Sequence, residues 1–226
     1  MLRKNILESK IKSIQIKVCG MRDAQNIEEV LTLKPDYLGL IFFPGSLRYM
    51  DDEKSASWNT ISLQTKLTGV FVNAEAPFIL ERVNAYHLGA IQLHGQESPE
   101  QCARIRANLS EDICLIKAFG VSDQFKWSVC DDFKHVADYF LFDTHSASHG
   151  GTGKKFDWTL LSGYRGELPY FLSGGLGLED VQEVRTLAEE DARLIAVDLN
   201  SRFELSPAVK NTALLDQTFK LLRNEV

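Results

Sequence analysis

Short, nearly continuous apolar runs alternate with longer amphipathic, charged stretches along the whole chain. The apolar runs are Ile14–Val18, Tyr37–Phe43, Leu67–Val72, Ala90–Leu93, Ile113–Ala118, Tyr139–Phe142, Tyr170–Ser173 and Leu194–Val197. Each has strand length and shows little polar alternation, as expected of a parallel sheet covered on both faces. The amphipathic stretches predict helices over Ala24–Leu33, Asp52–Ile61, Ala76–Leu88, Pro99–Asn108, Asp123–Lys134, Asp157–Leu161, Leu178–Leu187 and Ala208–Arg223. Pro99 suits a first helical turn, where its missing N–H is not needed. About eight strand–helix repeats favour closure into a barrel over an open, doubly wound sheet. The expected fold class is therefore α/β, a single (β/α)8 TIM barrel over 1–226, with 1–13 as a short N-terminal extension.

The length of 226 residues suits one such domain. A formal net charge of −6 argues against a nucleic-acid partner, which needs clustered Lys and Arg, and disfavours anionic membranes. No apolar run approaches the ~20 residues of a membrane span, and the start, Met1-Leu-Arg-Lys, lacks the apolar core of a signal peptide. The cysteines Cys19, Cys102, Cys114 and Cys130 show no CxxC spacing, so neither a zinc knuckle nor a redox motif is signalled. The expectation is a reduced, cytoplasmic protein without a metal.

In barrels of this kind chemistry sits at the C-terminal ends of the strands. There the chain places Cys19-Gly20, Phe43-Pro44-Gly45-Ser46-Leu47-Arg48, Asn73, His94-Gly95, Asp143-Thr144 with Gly150–Lys154, Ser173-Gly174-Gly175 and Asp198-Leu199-Asn200-Ser201. Cys19 and Asp143 each close an apolar strand, and a thiol and a carboxyl on one rim suit proton transfer. The alternatives are a buried small hydrophobe for Cys19 and a turn or cap for Asp143. His94 reads either as a base or as a hydrogen-bonded structural residue, and Arg48 as a carboxylate clamp or a surface cation. Gly174, Gly175, Asn200 and Ser201 lie after strands seven and eight, the usual phosphate seat of this architecture; the plainer reading of the glycines is a tight turn. Lys17 precedes Cys19 by two residues and shares its face. It either pairs with Asp198 or helps hold a Cys19 thiolate.

The ordered blocks Lys17-Val-Cys-Gly20, Gly39-Leu-Ile-Phe42 with Ser46-Leu-Arg-Tyr49, Gly69-Val-Phe-Val-Asn73, Gln92-Leu-His-Gly95, Phe142-Asp-Thr144 with Gly150-Gly-Thr-Gly153, Ser173-Gly-Gly-Leu176 and Asp198-Leu-Asn-Ser201 closely resemble the phosphoribosylanthranilate isomerase family. The resemblance runs from Lys17 to about Lys210, and the order of the blocks makes it specific. It implies a (β/α)8 barrel that converts N-(5-phosphoribosyl)anthranilate to 1-(2-carboxyphenylamino)-1-deoxyribulose 5-phosphate, an Amadori rearrangement without a cofactor. It implies Asp143 as general acid, Cys19 as general base and Arg48 as holder of the anthranilate carboxylate. An acid has to be protonated to serve, and two substrate anions in one pocket push a carboxyl that way.

The family usually reads Ser-Gly-Val-Glu where this chain has Ser201-Arg-Phe-Glu204, and Pro-Gly-x-Lys-Asp where it has Pro207-Ala-Val-Lys-Asn211. Arg202 therefore stands beside the expected phosphate seat, either adding charge to it, pairing with Glu204 or facing solvent. The competing readings are another sugar-phosphate isomerase or epimerase barrel and a non-catalytic barrel that binds a phosphorylated ligand. A small phosphorylated molecule is the partner under each reading, and the oligomeric state stays open.

Overall fold

The computed structural model describes residues 14–50, 64–144 and 156–225. Its parallel strands are β1 Gln15–Cys19, β2 Tyr37–Ile41, β3 Lys66–Phe71, β4 Ala90–Leu93, β5 Cys114–Val121, β6 Tyr139–Thr144, β7 Tyr170–Leu172 and β8 Leu194–Leu199. Each pairs with its sequence neighbours, and β8 closes on β1. Each apolar run of the sequence analysis is a strand, and Cys19 and Asp143 fall inside β1 and β6 rather than just after them. The expected extension at 1–13 and the expected helix at Asp52–Ile61 lie outside the described residues.

Strand side chains alternate, so each strand feeds two compartments. Residues such as Ile16, Val18, Leu38, Leu40, Phe140 and Phe142 point outward into one apolar layer beneath the helices. Tyr37, Ala90, Ile116, Ala118, Leu141, Phe171 and Ala196 fill the barrel interior as a separate cluster. Two residues further along several strands, the same inward face turns polar. Gln92 follows Ala90, Asp143 follows Leu141, and Asp198 follows Ala196. The apolar interior is thus a floor, and the polar groups stand on it at the C-terminal end.

The helices are α1 Ala24–Thr32, α2 Ala76–Tyr86, α3 Pro99–Arg106, α4 Val181–Glu190 and α5 Thr212–Arg223. Their starts follow local capping chemistry. Asp23 accepts from the Asn26 N–H, Ser98 and Gln101 form a reciprocal capping box beside Pro99, and Asn211 accepts from the Leu214 N–H.

Four expectations need correction. Asp123–Lys134 and Asp157–Leu161 are not α-helices; each place holds a short 3-10 segment, Trp127–Phe133 and Trp158–Gly163. In the first, Phe125, Trp127 and Phe133 turn onto Phe119 and Phe142, and this aromatic packing replaces a regular helical ladder. The stretch from Leu178 opens as a 3-10 turn before α4 begins at Val181. Ala208–Lys210 is not the start of the last helix. It belongs to a small antiparallel hairpin of β9 Glu204–Ser206 and β10 Val209–Lys210. Ala208 takes a left-handed φ of 69° there, at the place where the resemblance expects Gly.

Candidate active site

Cys19, the last residue of β1, is buried and sits in register with Gly39 of β2. A Cβ at Gly39 would lie 2.7 Å from the Cys19 sulfur, so the missing side chain makes room for the thiol. Lys17 is fully buried below it and in register with Asp198 of β8. Its Nζ donates to Asp198 Oδ1 at 2.9 Å and to Gln92 Oε1 at 2.8 Å. The ion pair expected from the sequence is therefore present.

From Gln92 the bonding continues across the barrel. Its Nε2 lies 2.7 Å from His94 Nδ1, and His94 Nε2 lies 3.3 Å from Asp143 Oδ2. The backbone N–H of Thr144 donates to Asp143 Oδ1 at 2.8 Å. Lys only donates, so Gln92 turns its oxygen to Lys17 and its amide NH2 to His94. Nδ1 of His94 then accepts, which assigns the ring proton to Nε2, facing Asp143. Both ring nitrogens are thus engaged, as in the hydrogen-bonded reading of His94. The turn that carries His94 is braced from outside the barrel. Buried Glu97 accepts from the N–H groups of Asn73 and Gly95, while Lys117 binds Glu97 and the Gly95 carbonyl.

Burial pushes the Cys19 thiol up, Lys17 and Lys210 pull it back, and Asp198 pushes it further. For Lys17, burial works against the charge, but Asp198 and Cys19 outweigh it and hold its pKa above the ordinary value. Burial raises the Asp198 carboxyl, with Lys17 opposing. The resting thiol is therefore held close to cations that favour its anion without forcing it.

Arg48 is not a free surface cation. Its Nε and Nη2 grip the Glu204 carboxylate in a bidentate pair, at 2.8 and 2.6 Å. Glu204 Oε1 also accepts from Lys210 Nζ at 2.7 Å and from the Ala208 N–H at 3.1 Å. Lys210 donates in turn to Asn200 Oδ1 at 2.8 Å, so the oxygen of the Asn200 amide is committed within the protein. Arg202 does not reach Glu204; it is half exposed and pairs with Glu179.

Gly174 and Gly175 take left-handed φ values of 96° and 68°. A Cβ at Gly174 would lie 2.6 Å from the Thr144 backbone nitrogen and 2.8 Å from Asp143 Oδ1. The glycine therefore makes the turn and also leaves space for Asp143. Gly174→Ala combines backbone strain with that clash, and is expected to lower stability by about 2 kcal/mol and to depress kcat. Urea unfolding and steady-state rates measure the two effects. Ser201 opens a single 3-10 turn, Ser201–Phe203, directly after β8 and beside the Gly174 loop's strand. Gly150–Lys154, placed on the rim by the sequence, lies outside the described residues.

Sequence reasoning missed three members of this constellation. Gln92 stands two residues before His94 on the same face, a spacing that was legible. Glu204 and Lys210 lie in a hairpin read from the sequence as loop and helix, so nothing local pointed them at Arg48. Among the described residues no group of His, Cys, Asp and Glu is arranged to hold a metal ion, and no helix is long and apolar enough to cross a membrane.

A family model described as N-(5'phosphoribosyl)anthranilate (PRA) isomerase matches residues 16–220. The N-(5'-phosphoribosyl)anthranilate isomerase of Parabacteroides distasonis is 40% identical over 199 residues, covering 87% of each chain. The crystal structure of phosphoribosyl anthranilate isomerase from Thermotoga maritima superimposes with a TM-score of 0.79 at 30% identity, covering 93% of this chain and 99% of that one. A phosphoribosyl anthranilate isomerase in complex with reduced 1-(o-carboxyphenylamino)-1-deoxyribulose 5-phosphate superimposes with a TM-score of 0.75 at 29% identity, again over 93% and 99% of the two chains.

Proposed function

Because the chain belongs to the N-(5'-phosphoribosyl)anthranilate isomerase family, we propose that its rim residues divide that reaction among them, with Asp143 as general acid and Cys19 as general base. The activity is the aldose–ketose rearrangement of N-(5'-phosphoribosyl)anthranilate in tryptophan biosynthesis. Asp143 gives a proton to the ribose ring oxygen as the ring C–O bond breaks, leaving a protonated Schiff base. Cys19 takes the proton from ribose C2, and the electron pair moves into an enolamine. Protonation at C1 and loss of the C2 hydroxyl proton then give the ketone. Only protons move, so an acid and a base on one rim suffice.

The observation that carries this reading is the bonded path from Cys19's neighbour Lys17 through Gln92 and His94 to Asp143. It ties the base's supporting cation and the acid to one rigid frame, as catalytic positioning requires. His94 serves the substrate site by holding Asp143 with its Nε2–H. Gly174, Gly175, Asn200 and Ser201 form the phosphate seat; Lys210 holds the Asn200 Oδ1, which directs its side-chain NH2 and its backbone to serve as donors. A cytoplasmic location accords with four free cysteines. The direct test is loss of anthranilate-derived substrate fluorescence on adding the purified protein; a flat trace at micromolar enzyme would overturn the assignment.

Arg48 holds the anthranilate carboxylate. Glu204 occupies its Nε–Nη2 edge; among the described residues no carboxylate meets the Nη1–Nη2 edge of the same planar fork, which suits a second carboxylate. Charge-assisted bonds of this kind contribute about 1.5–3 kcal/mol. Arg48→Ala is therefore expected to weaken binding of a reduced product analogue by more than about tenfold. An unchanged dissociation constant by calorimetry would leave Arg48 with a structural role only.

A further inference from the structure

Lys210 has no part in the reaction as assigned above, yet its ammonium is fully buried at the catalytic end of the barrel. It arrives there from β10, at the end of the short hairpin that follows β8. Asn200 Oδ1 and Glu204 Oε1 accept two of its three N–H donors. Asn200 Oδ1 in turn abuts Gly20: a Cβ on that glycine would lie 2.8 Å from this oxygen and 2.6 Å from Arg48 Cδ. Gly20 directly follows Cys19, so the Lys210–Asn200–Arg48 cluster is packed against the backbone turn that carries the thiol.

Among the described residues the charges around the thiol do not cancel. Lys17 and Asp198 form one balanced pair below it. Arg48 and Lys210 share the single carboxylate of Glu204 and leave one positive charge in excess. A buried surplus cation favours any neighbouring group that can become an anion. We infer that Lys210 is a positioning residue for the base, supporting the thiolate form of Cys19, and that Glu204 sets how much of that positive charge the sulfur feels. The inference rests on Cys19 being the base. Among the described residues the charged groups facing Cys19 are Lys17 from its own strand, Asp198 from β8, Arg48 from the loop after β2 and Lys210 from β10. The mutual influence of Lys210 and Cys19 agrees with this: Lys210 pulls the thiol down, and the thiolate supports the charge of Lys210 against burial.

The test reads the thiol directly. Cys19 is alkylated with iodoacetamide across a pH series, and mass spectrometry resolves it from Cys102, Cys114 and Cys130. In Lys210→Met the titration of Cys19 is expected to move up, leaving about tenfold less thiolate at a given pH below the transition. The alkaline requirement of kcat moves with it, KM changes less than about threefold, and Lys210→Arg restores most of the loss. Glu204→Gln keeps one of the two acceptor oxygens, enough for Lys210 and the Ala208 N–H, but removes the negative charge, so it is expected to move the titration in the opposite direction, down. Structural damage alone does not produce shifts of opposite sign. An unmoved Cys19 titration in folded Lys210→Met overturns the inference. If that variant does not fold, an upward or absent shift in Glu204→Gln overturns it instead. Should Cys19→Ala turn over at the wild-type rate, the base assignment falls, an outcome read separately from the titration.

Discussion

Cys19→Ala and Asp143→Asn are each expected to lower kcat by at least about 100-fold, the lower range of general acid–base effects. Neither change alters the Arg48–Glu204 pair, and Asp143→Asn keeps the side-chain volume beside Gly174, so a reduced product analogue should bind both variants nearly as well as the wild type. Steady-state fluorescence decay and calorimetry separate the two quantities. The Asn variant keeps an oxygen for the Thr144 N–H but has no acidic proton to give, and its NH2 replaces the oxygen that faces the His94 Nε2–H. Cys19→Ala removes the sulfur from the space opened by Gly39 and leaves Lys17 bonded to Asp198 and Gln92. Wild-type turnover by Cys19→Ala would show that another group removes the C2 proton.

Lys17→Met should damage stability and activity together. The variant leaves Asp198 as a buried carboxylate without its cation, a loss of about 3–5 kcal/mol when one partner of such a pair is removed. The pH dependence has a defined sign. Burial already raises the Asp198 carboxyl, and without Lys17 only the weak influence of His94 opposes that rise. A group whose folded pKa is raised costs stability above its unfolded pKa, and the cost disappears as pH falls below it. The deficit of Lys17→Met against wild type should therefore be full at neutral pH and shrink toward about pH 4. Adding Asp198→Leu should recover much of the stability, because the unpaired charge is gone, yet leave kcat low, because Cys19 has lost its nearest cation. Urea unfolding across pH and steady-state rates test both halves. A double variant with restored activity would remove Lys17 from support of the thiol.

Much of the site was legible along the chain because barrel strands obey a two-residue alternation. Cys19 follows Lys17 on one face, and Asp143 follows Leu141, so the chemistry-bearing ends could be read from the apolar runs alone. The same rule put Lys17 opposite Asp198 once β8 was taken to close on β1, and the register bears that out. Helix starts at Ala24, Ala76 and Pro99 were also local matters, since caps and first-turn prolines act within a few residues.

Helix type was not local. The stretches around Trp127 and Trp158 carry helical periodicity, but the first turns its rings onto Phe119 and Phe142, and both settle as 3-10 segments. Arg48 illustrates the same limit at the site. Its strand-end position was visible in the sequence, whereas its partner Glu204 lies 156 residues away in a hairpin with no apolar pattern to announce it. Gln92, His94 and Asp143 become one bonded path only when β4 and β6 face each other across the closed interior. The amino-acid sequence by itself determined the barrel, its polar rim and the strand-end placement of the two residues proposed for proton transfer, because burial periodicity and strand-end position are properties of neighbouring residues. Tertiary structure alone decided the charge balance around Cys19 and the partners of Arg48, Asn200 and Lys210, because Coulomb and hydrogen-bond energies depend on distances between strands that are remote in sequence.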